Sequence, residues 1–107
     1  MRKLLSRKVA IVTGSATGLG KRTAIELSKQ GHNIVLNYVR SKQAAVETAT
    51  YIEEQLNVKA IALKADISKQ SEVANLIQQT IKKMGTIDIL VHNAGPYIKE
   101  QKKLNTL

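Results

Sequence analysis

Lys8–Gly20, KVAIVTGSATGLG, decides the fold. Val9, Ala10, Ile11 and Val12 form a short apolar run rich in β-branched side chains, the pattern of a strand buried on both faces of a parallel sheet. A turn opens at Thr13-Gly14, and Gly18 and Gly20 fall where a helical pattern begins, Lys21-Arg22-Thr23-Ala24-Ile25-Glu26-Leu27, with Gly31 as its stop. A strand, a glycine turn and a helix in this order suit anion binding. The helix N-terminus offers unpaired backbone N–H groups and the positive end of the dipole, provided side chains stand clear. The spacing Gly14-x-x-x-Gly18-x-Gly20 departs from the usual dinucleotide fingerprint. It also fails as an ATP-type phosphate loop, because position 15 is Ser and Lys21 is followed by Arg22.

The next elements alternate. Asn33 to Val39 reads as a second strand, and Ser41 is placed to cap a helix running to Leu56, with Ala45, Ala49, Ile52 and Leu56 as its core stripe. Asn57 ends that helix, and Val58 to Lys64 reads as a third strand. Asp66 follows it, and Ser68 is the better of the two as a cap for a third helix over Lys69 to Met84. There Val73, Leu76, Ile77, Thr80, Ile81 and Met84 recur at three and four residues, which predicts core packing. Gly85 stops the helix, Ile87 to His92 reads as a fourth strand, and Asn93-Ala94-Gly95-Pro96 ends it. Tyr97 to Leu107 is polar, basic and weakly patterned.

This order, βαβαβαβ with short connections, predicts a doubly wound parallel α/β sheet with helices on both faces. The glycine turn, Arg40, Asp66 and Asn93 to Gly95 all follow strands and so share one sheet edge, where ligands bind in such folds. An acidic residue at the end of the second strand would hydrogen-bond an adenosine ribose 2′-hydroxyl. The chain instead has Tyr38, Val39, Arg40, Ser41 and Lys42, a cationic, hydroxyl-bearing set that suits a ribose 2′-phosphate, so NADP(H) is preferred over NAD(H).

Composition narrows the classes. The chain has 107 residues, 17 Lys and Arg against 8 Asp and Glu, a net charge of +9, and no cysteine. Disulfide frameworks and thiolate metal sites are therefore excluded, and a reducing, cytoplasmic setting is expected. The basic residues are scattered and only three tyrosines accompany them, so no specific nucleic-acid surface is expected. The basic start, Arg2, Lys3, Arg7 and Lys8, leads into an apolar run interrupted at Gly14, Ser15 and Thr17, which does not read as a signal peptide. No run approaches the length of a membrane span, and His32 and His92 sit apart.

With these pieces placed, the chain resembles the N-terminal half of a short-chain dehydrogenase/reductase, most like the 3-oxoacyl-acyl-carrier-protein reductases. The family's Thr-Gly-x-x-x-Gly-x-Gly is met by Thr13, Gly14, Gly18 and Gly20, its adenine-contacting Asp by Asp66 beside Ile67, and its Asn-Asn-Ala-Gly by His92, Asn93, Ala94 and Gly95. The resemblance implies a Rossmann-type three-layer αβα domain over residues 1–107, incomplete after the fourth strand. It implies a dinucleotide cofactor held by Gly14, Ser15, Thr17, Gly18, Leu19 and Gly20 at the pyrophosphate and by Tyr38, Arg40 and Ser41 at the adenosine ribose. Asp66, with Ile67 beside it, would then meet the adenine, and Asn93, Ala94 and Gly95 would shape the ribose wall.

Two departures stand out. Ala16 and Thr17 occupy positions where many NADP-dependent members carry Ser-Arg, which leaves phosphate selectivity to Arg40 and Ser41, and His92 replaces the first Asn of its motif. The family's catalytic Ser, Tyr and Lys lie beyond the fourth strand, so no catalytic residue is assigned. Tyr38 and Lys42 form a literal Tyr-x-x-x-Lys, but a strand end does not project both side chains from one helical face. The complete protein would be an oligomer acting on a small-molecule or acyl-carrier-linked carbonyl. For this piece alone the expectation is no native-like oligomer and marginal stability, with Ile87 to Val91 as an open apolar edge. The alternative reading is a noncatalytic nucleotide-binding or interaction module.

Overall fold

A computed structural model describes residues 7–93. The elements are β1 (Val9–Val12), α1 (Gly18–Lys29), β2 (Asn33–Tyr38), α2 (Lys42–Leu56), β3 (Ala60–Lys64), α3 (Gln70–Met84) and β4 (Ile89–Val91). Every predicted element is present. The strands form one parallel sheet in the order β3-β2-β1-β4, with Ala10 opposite Ile34 and Ile89, and Ile34 opposite Ala60. This is the Rossmann-like α/β arrangement that the alternation predicts.

The sheet's two faces are covered by different helices. Ala10, Val12, Ile34, Leu36 and Ala60 face Ala24 of α1 and Ala49 and Ile52 of α2. The intervening residues, Ile11 and Val35, face Leu76 of α3 together with Ala65. A strand alternates its side chains between faces, so β1 and β2, enclosed on both, must be apolar throughout. Small residues bring the helices close: Ala24 and Ala45 are wholly buried, and Ser28 returns its hydroxyl hydrogen to the Ala24 carbonyl at 2.7 Å.

Several boundaries differ from expectation for identifiable reasons. Val39 is already outside β2 and exposed. β3 begins at Ala60, not Val58, because Lys59 gives its N–H to the Asn33 side chain at 3.0 Å and its carbonyl to Ile34 at 2.9 Å. β4 is shorter than Ile87 to His92. Asp88 precedes the strand, its carboxylate accepting the Val9 N–H at 2.9 Å while its own N–H reaches the Val9 carbonyl at 2.9 Å.

The expected caps also differ. Ser41 occupies the N-cap of α2 without a side-chain capping bond, and α3 is entered from Lys69, not from Ser68. Ser68 is drawn away by Asp66, to which it donates both its hydroxyl (2.7 Å) and its backbone N–H (3.0 Å).

The α3 stripe is core only in part. Leu76 and Thr80 are buried, but Ile77 is 41% and Ile81 49% exposed, and Leu90 of β4 is 65% exposed on the same face. Between α3 and β4 runs an apolar groove of about 240 Å³, lined by Ile67, Val73, Ile77, Ile87 and Leu90 among others. Among the described residues no helix is long and apolar enough to cross a membrane.

Candidate dinucleotide site

Parallel strands put the carboxyl ends of β1, β2, β3 and β4 on one edge, and the described residues singled out by sequence, Ile67 aside, gather there. Gly14 opens the turn after β1 with φ +57°, a conformation an L side chain resists, and its N–H is taken by the Asn37 side-chain oxygen at 3.2 Å. Gly20, in the first turn of α1, packs directly on this turn. A Cβ there would meet the Gly14 carbonyl oxygen, the Asn93 amide nitrogen and the Ser15 Cα. Gly18, in contrast, faces open space.

The start of α1 is chemically bare. Thr17 is the N-cap but makes no side-chain capping bond, and the first turn contains no acidic residue. The backbone donors at Gly18 and Leu19 therefore stand free of local side-chain acceptors, with Thr17, Gly18 and Leu19 all exposed. Among the described residues, the open space beside Gly18, the donors no side chain takes and a positive dipole end fit a phosphate-bearing group. Ser15 contributes no side chain to that space. It is fully buried, donates its hydroxyl to the Val12 carbonyl at 2.6 Å, and gives its N–H to the Asn37 carbonyl at 2.9 Å.

The β4 side of the turn is fastened by Thr13 and Asn93. The Thr13 N–H reaches the Val91 carbonyl at 3.0 Å, and its hydroxyl oxygen accepts the Asn93 N–H at 2.8 Å. The Asn93 side chain in turn donates to the Gly14 carbonyl at 3.1 Å. The glycine turn and the end of β4 thus form one unit. Ala94 and Gly95 lie outside the described residues.

On the opposite side, the Ala65 N–H bonds the Tyr38 carbonyl at 3.0 Å, which brings the Asp66 loop against the end of β2. Tyr38 is buried and packs with Ala16 and Ala45, placing it under the glycine turn and not on one helical face with Lys42. Arg40 and Ser41 are exposed in the connection to α2. Ile67 is half-buried on the α3 face, where it lines the apolar groove.

The Asp66 backbone N–H is taken by the Glu72 carboxylate at 2.7 Å. Its own carboxyl is held below the usual 3.8, first by the Ser68 hydroxyl and backbone bonds, with partial desolvation opposing and the charges of Lys69 and Arg40 adding to the depression. A depressed carboxylate contributes stability above its unfolded-state pKa of 3.8, and that contribution is lost as pH falls through the lower folded value. Asp66→Asn is therefore expected to melt below the parent at neutral pH and to converge with it in acid. Thermal melts across that range check this, and parallel curves at every pH would remove the role.

Sequence reasoning missed Asn37. It lies in β2, as its sequence predicts, and is 1% exposed with its side-chain amide bonded to Gly14 and Ala65. The available signal was a polar residue at the end of the otherwise apolar run Ile34-Val35-Leu36. Among the described residues no group of His, Cys, Asp or Glu could hold a metal ion.

Comparison with known proteins agrees with this geometry. Residues 8–106 match the family described as short chain dehydrogenase. The short-chain dehydrogenase/reductase homolog YusS of Bacillus subtilis is 45% identical over 88 residues, 82% of this chain and 80% of that protein. The hydroxynaphthalene reductase-like protein Arp2 of Metarhizium brunneum is 42% identical over 91 residues, covering 85% of this chain but 34% of its own length. Among solved structures, L-sorbose reductase from Gluconobacter frateurii, complexed with NADPH and L-sorbose, superposes with a TM-score of 0.80 at 31% identity, over 90% of this chain and 36% of that one. Acetoin dehydrogenase YohF from Salmonella typhimurium gives 0.76 at 38% identity, over 83% and 36%. The chain thus spans about a third of the length of these solved relatives. A shared fold, a profile match across nearly the whole chain and close identity to YusS lead to one conclusion: the chain belongs to the short chain dehydrogenase family.

Proposed function

We propose that this chain is the NADP(H)-binding part of an oxidoreductase of the 3-oxoacyl-acyl-carrier-protein reductase type. The observation that carries the reading is the bare N-terminus of α1 behind Gly14, Gly18 and Gly20, sharing one sheet edge with Arg40 and Asp66. When bound, the nicotinamide cofactor would supply a hydride to a carbonyl carbon or accept one from an alcohol carbon. The chain's own residues bind and orient. Backbone donors of the turn take the pyrophosphate, Arg40 pairs with the ribose 2′-phosphate, Asp66 accepts from the adenine amino group, and Asn93 holds the turn and the β4 end in register.

The preference for NADP(H) over NAD(H) rests on Arg40 and on the lack of an acidic residue at the end of β2. Arg40→Ala is expected to weaken NADPH binding about tenfold, as for the loss of one charge-assisted bond at an exposed site, while NADH binding changes less than about twofold. Fluorescence titration of both cofactors on the full chain tests this. Equal weakening of the two would remove the phosphate assignment, and absence of binding to either by the parent chain would remove the dinucleotide reading. A noncatalytic nucleotide-binding or interaction module is the second reading, in which the residues of this sheet edge hold a cofactor and no substrate. It predicts cofactor binding without turnover on any carbonyl substrate.

A further inference from the structure

Asn37 ties three strand ends together. Its side-chain oxygen accepts the Gly14 N–H at 3.2 Å, and its side-chain nitrogen donates to the Ala65 carbonyl at 3.0 Å, with the Leu63 and Tyr38 carbonyls at 3.4 and 3.5 Å. Its backbone carbonyl accepts the Ser15 N–H at 2.9 Å and has the Ser15 hydroxyl at 3.4 Å. The orientation of the amide is fixed by the groups it meets, since the Gly14 N–H can only donate and the Ala65 carbonyl can only accept. One buried side chain therefore joins the phosphate-side turn after β1 to the residue immediately before Asp66.

We propose that Asn37 is a positioning residue that sets the spacing between the pyrophosphate turn and the adenosine-side loop. It is enclosed at 1% exposure and so acts through Gly14 and Ala65, not by touching the ligand. The inference rests on the dinucleotide reading above and deepens it. Its chemistry explains why an amide is required. A carboxylate at this position keeps the acceptor for Gly14 but turns a second acceptor toward the Ala65 carbonyl. Leucine, of similar size, removes both arms and leaves the Gly14 N–H and the Ala65 carbonyl without these partners.

A ligand that grips both ends of the site needs the spacing; a ligand that grips one end does not. Asn37→Leu is expected to weaken NADPH binding about tenfold or more, while adenosine 2′-monophosphate, which lacks the pyrophosphate, weakens less than about threefold. General loosening of the fold would weaken both alike, and that result would overturn the proposal. Asn37→Asp, the smaller change, should keep the Gly14 arm and lose the Ala65 arm, giving the same split at reduced size even where the leucine variant fails to fold.

Amide hydrogen exchange supplies a cofactor-free arm on the full chain. The Gly14 amide should lose protection in Asn37→Leu and retain most of it in Asn37→Asp, with Ile11 and Val35 amides protected in both. If Gly14 is equally protected in the parent and in Asn37→Leu, the inference fails. If the parent chain does not bind NADPH, the dinucleotide reading fails on its own, and the exchange arm still decides whether Asn37 holds the turn.

Discussion

Gly20→Ala is expected to abolish dinucleotide binding and to destabilise the fold by about 3 kcal/mol, at the upper end of the usual cost of overpacking. The backbone at Gly20 is ordinary helix, so the penalty is one of contact and not of torsion. An added Cβ would run into the Gly14 carbonyl oxygen while lying 2.8 Å from the Asn93 amide nitrogen and 2.9 Å from the Ser15 Cα. Two of these three atoms are backbone and cannot swing aside. The third belongs to the side chain that donates to Gly14 at 3.1 Å, so relief in that direction breaks the bond between the turn and the end of β4.

Gly18→Ala provides the control, because that Cβ would meet nothing and the cost reduces to the left-handed backbone at φ +62°, about 1–2 kcal/mol. Urea denaturation of the two variants measures the difference, and NADPH titration of Gly20→Ala against the parent checks the loss of binding. A Gly20→Ala protein as stable as the parent would show that α1 does not rest on the glycine turn as described.

Ile52→Ala carries the second large effect, a loss of about 2–5 kcal/mol, as expected for emptying a fully enclosed aliphatic site. Ile52 is 0% exposed in the cluster that joins α2 to Ile34, Leu36 and Ala60. Ile81, on an equally regular stripe of α3, is 49% exposed, so Ile81→Ala should change stability by less than about 1 kcal/mol, with alanine's better helix propensity offsetting the lost contacts. Both are read from denaturation midpoints. Equal costs at the two positions would mean that the exposed face of α3 is covered in solution.

That contrast shows what the sequence could carry. Hydrophobic period identifies which side of a helix is apolar, but it does not say whether anything lies against that side. The stripe of α2 packs on two strands, whereas Ile77 and Ile81 of α3 stay partly exposed. The parallel sheet and the gathering of the strands' carboxyl ends on one edge were legible because right-handed βαβ units leave little topological choice. The glycine turn was legible because backbone approach demands glycine.

Polar side chains that bond locally were less legible, since their partners depend on three-dimensional neighbours. Ser68 looked like a helix cap and instead serves Asp66, and Asn37, a residue of β2 as its sequence suggests, also bonds to the turn after β1 and the loop after β3. Ser41 stands at the right position for a cap and makes no capping bond. Spacing alone distinguishes none of these outcomes.

The groove between α3 and β4 has a thermal consequence. Ile77, Ile81 and Leu90 are already hydrated in the folded chain, so unfolding exposes less new apolar surface than the length would suggest. The heat-capacity increment of unfolding is correspondingly small, because apolar exposure is its main positive source. Stability then varies gently with temperature, and cooling weakens this fold less than it would one whose α3 face was fully enclosed.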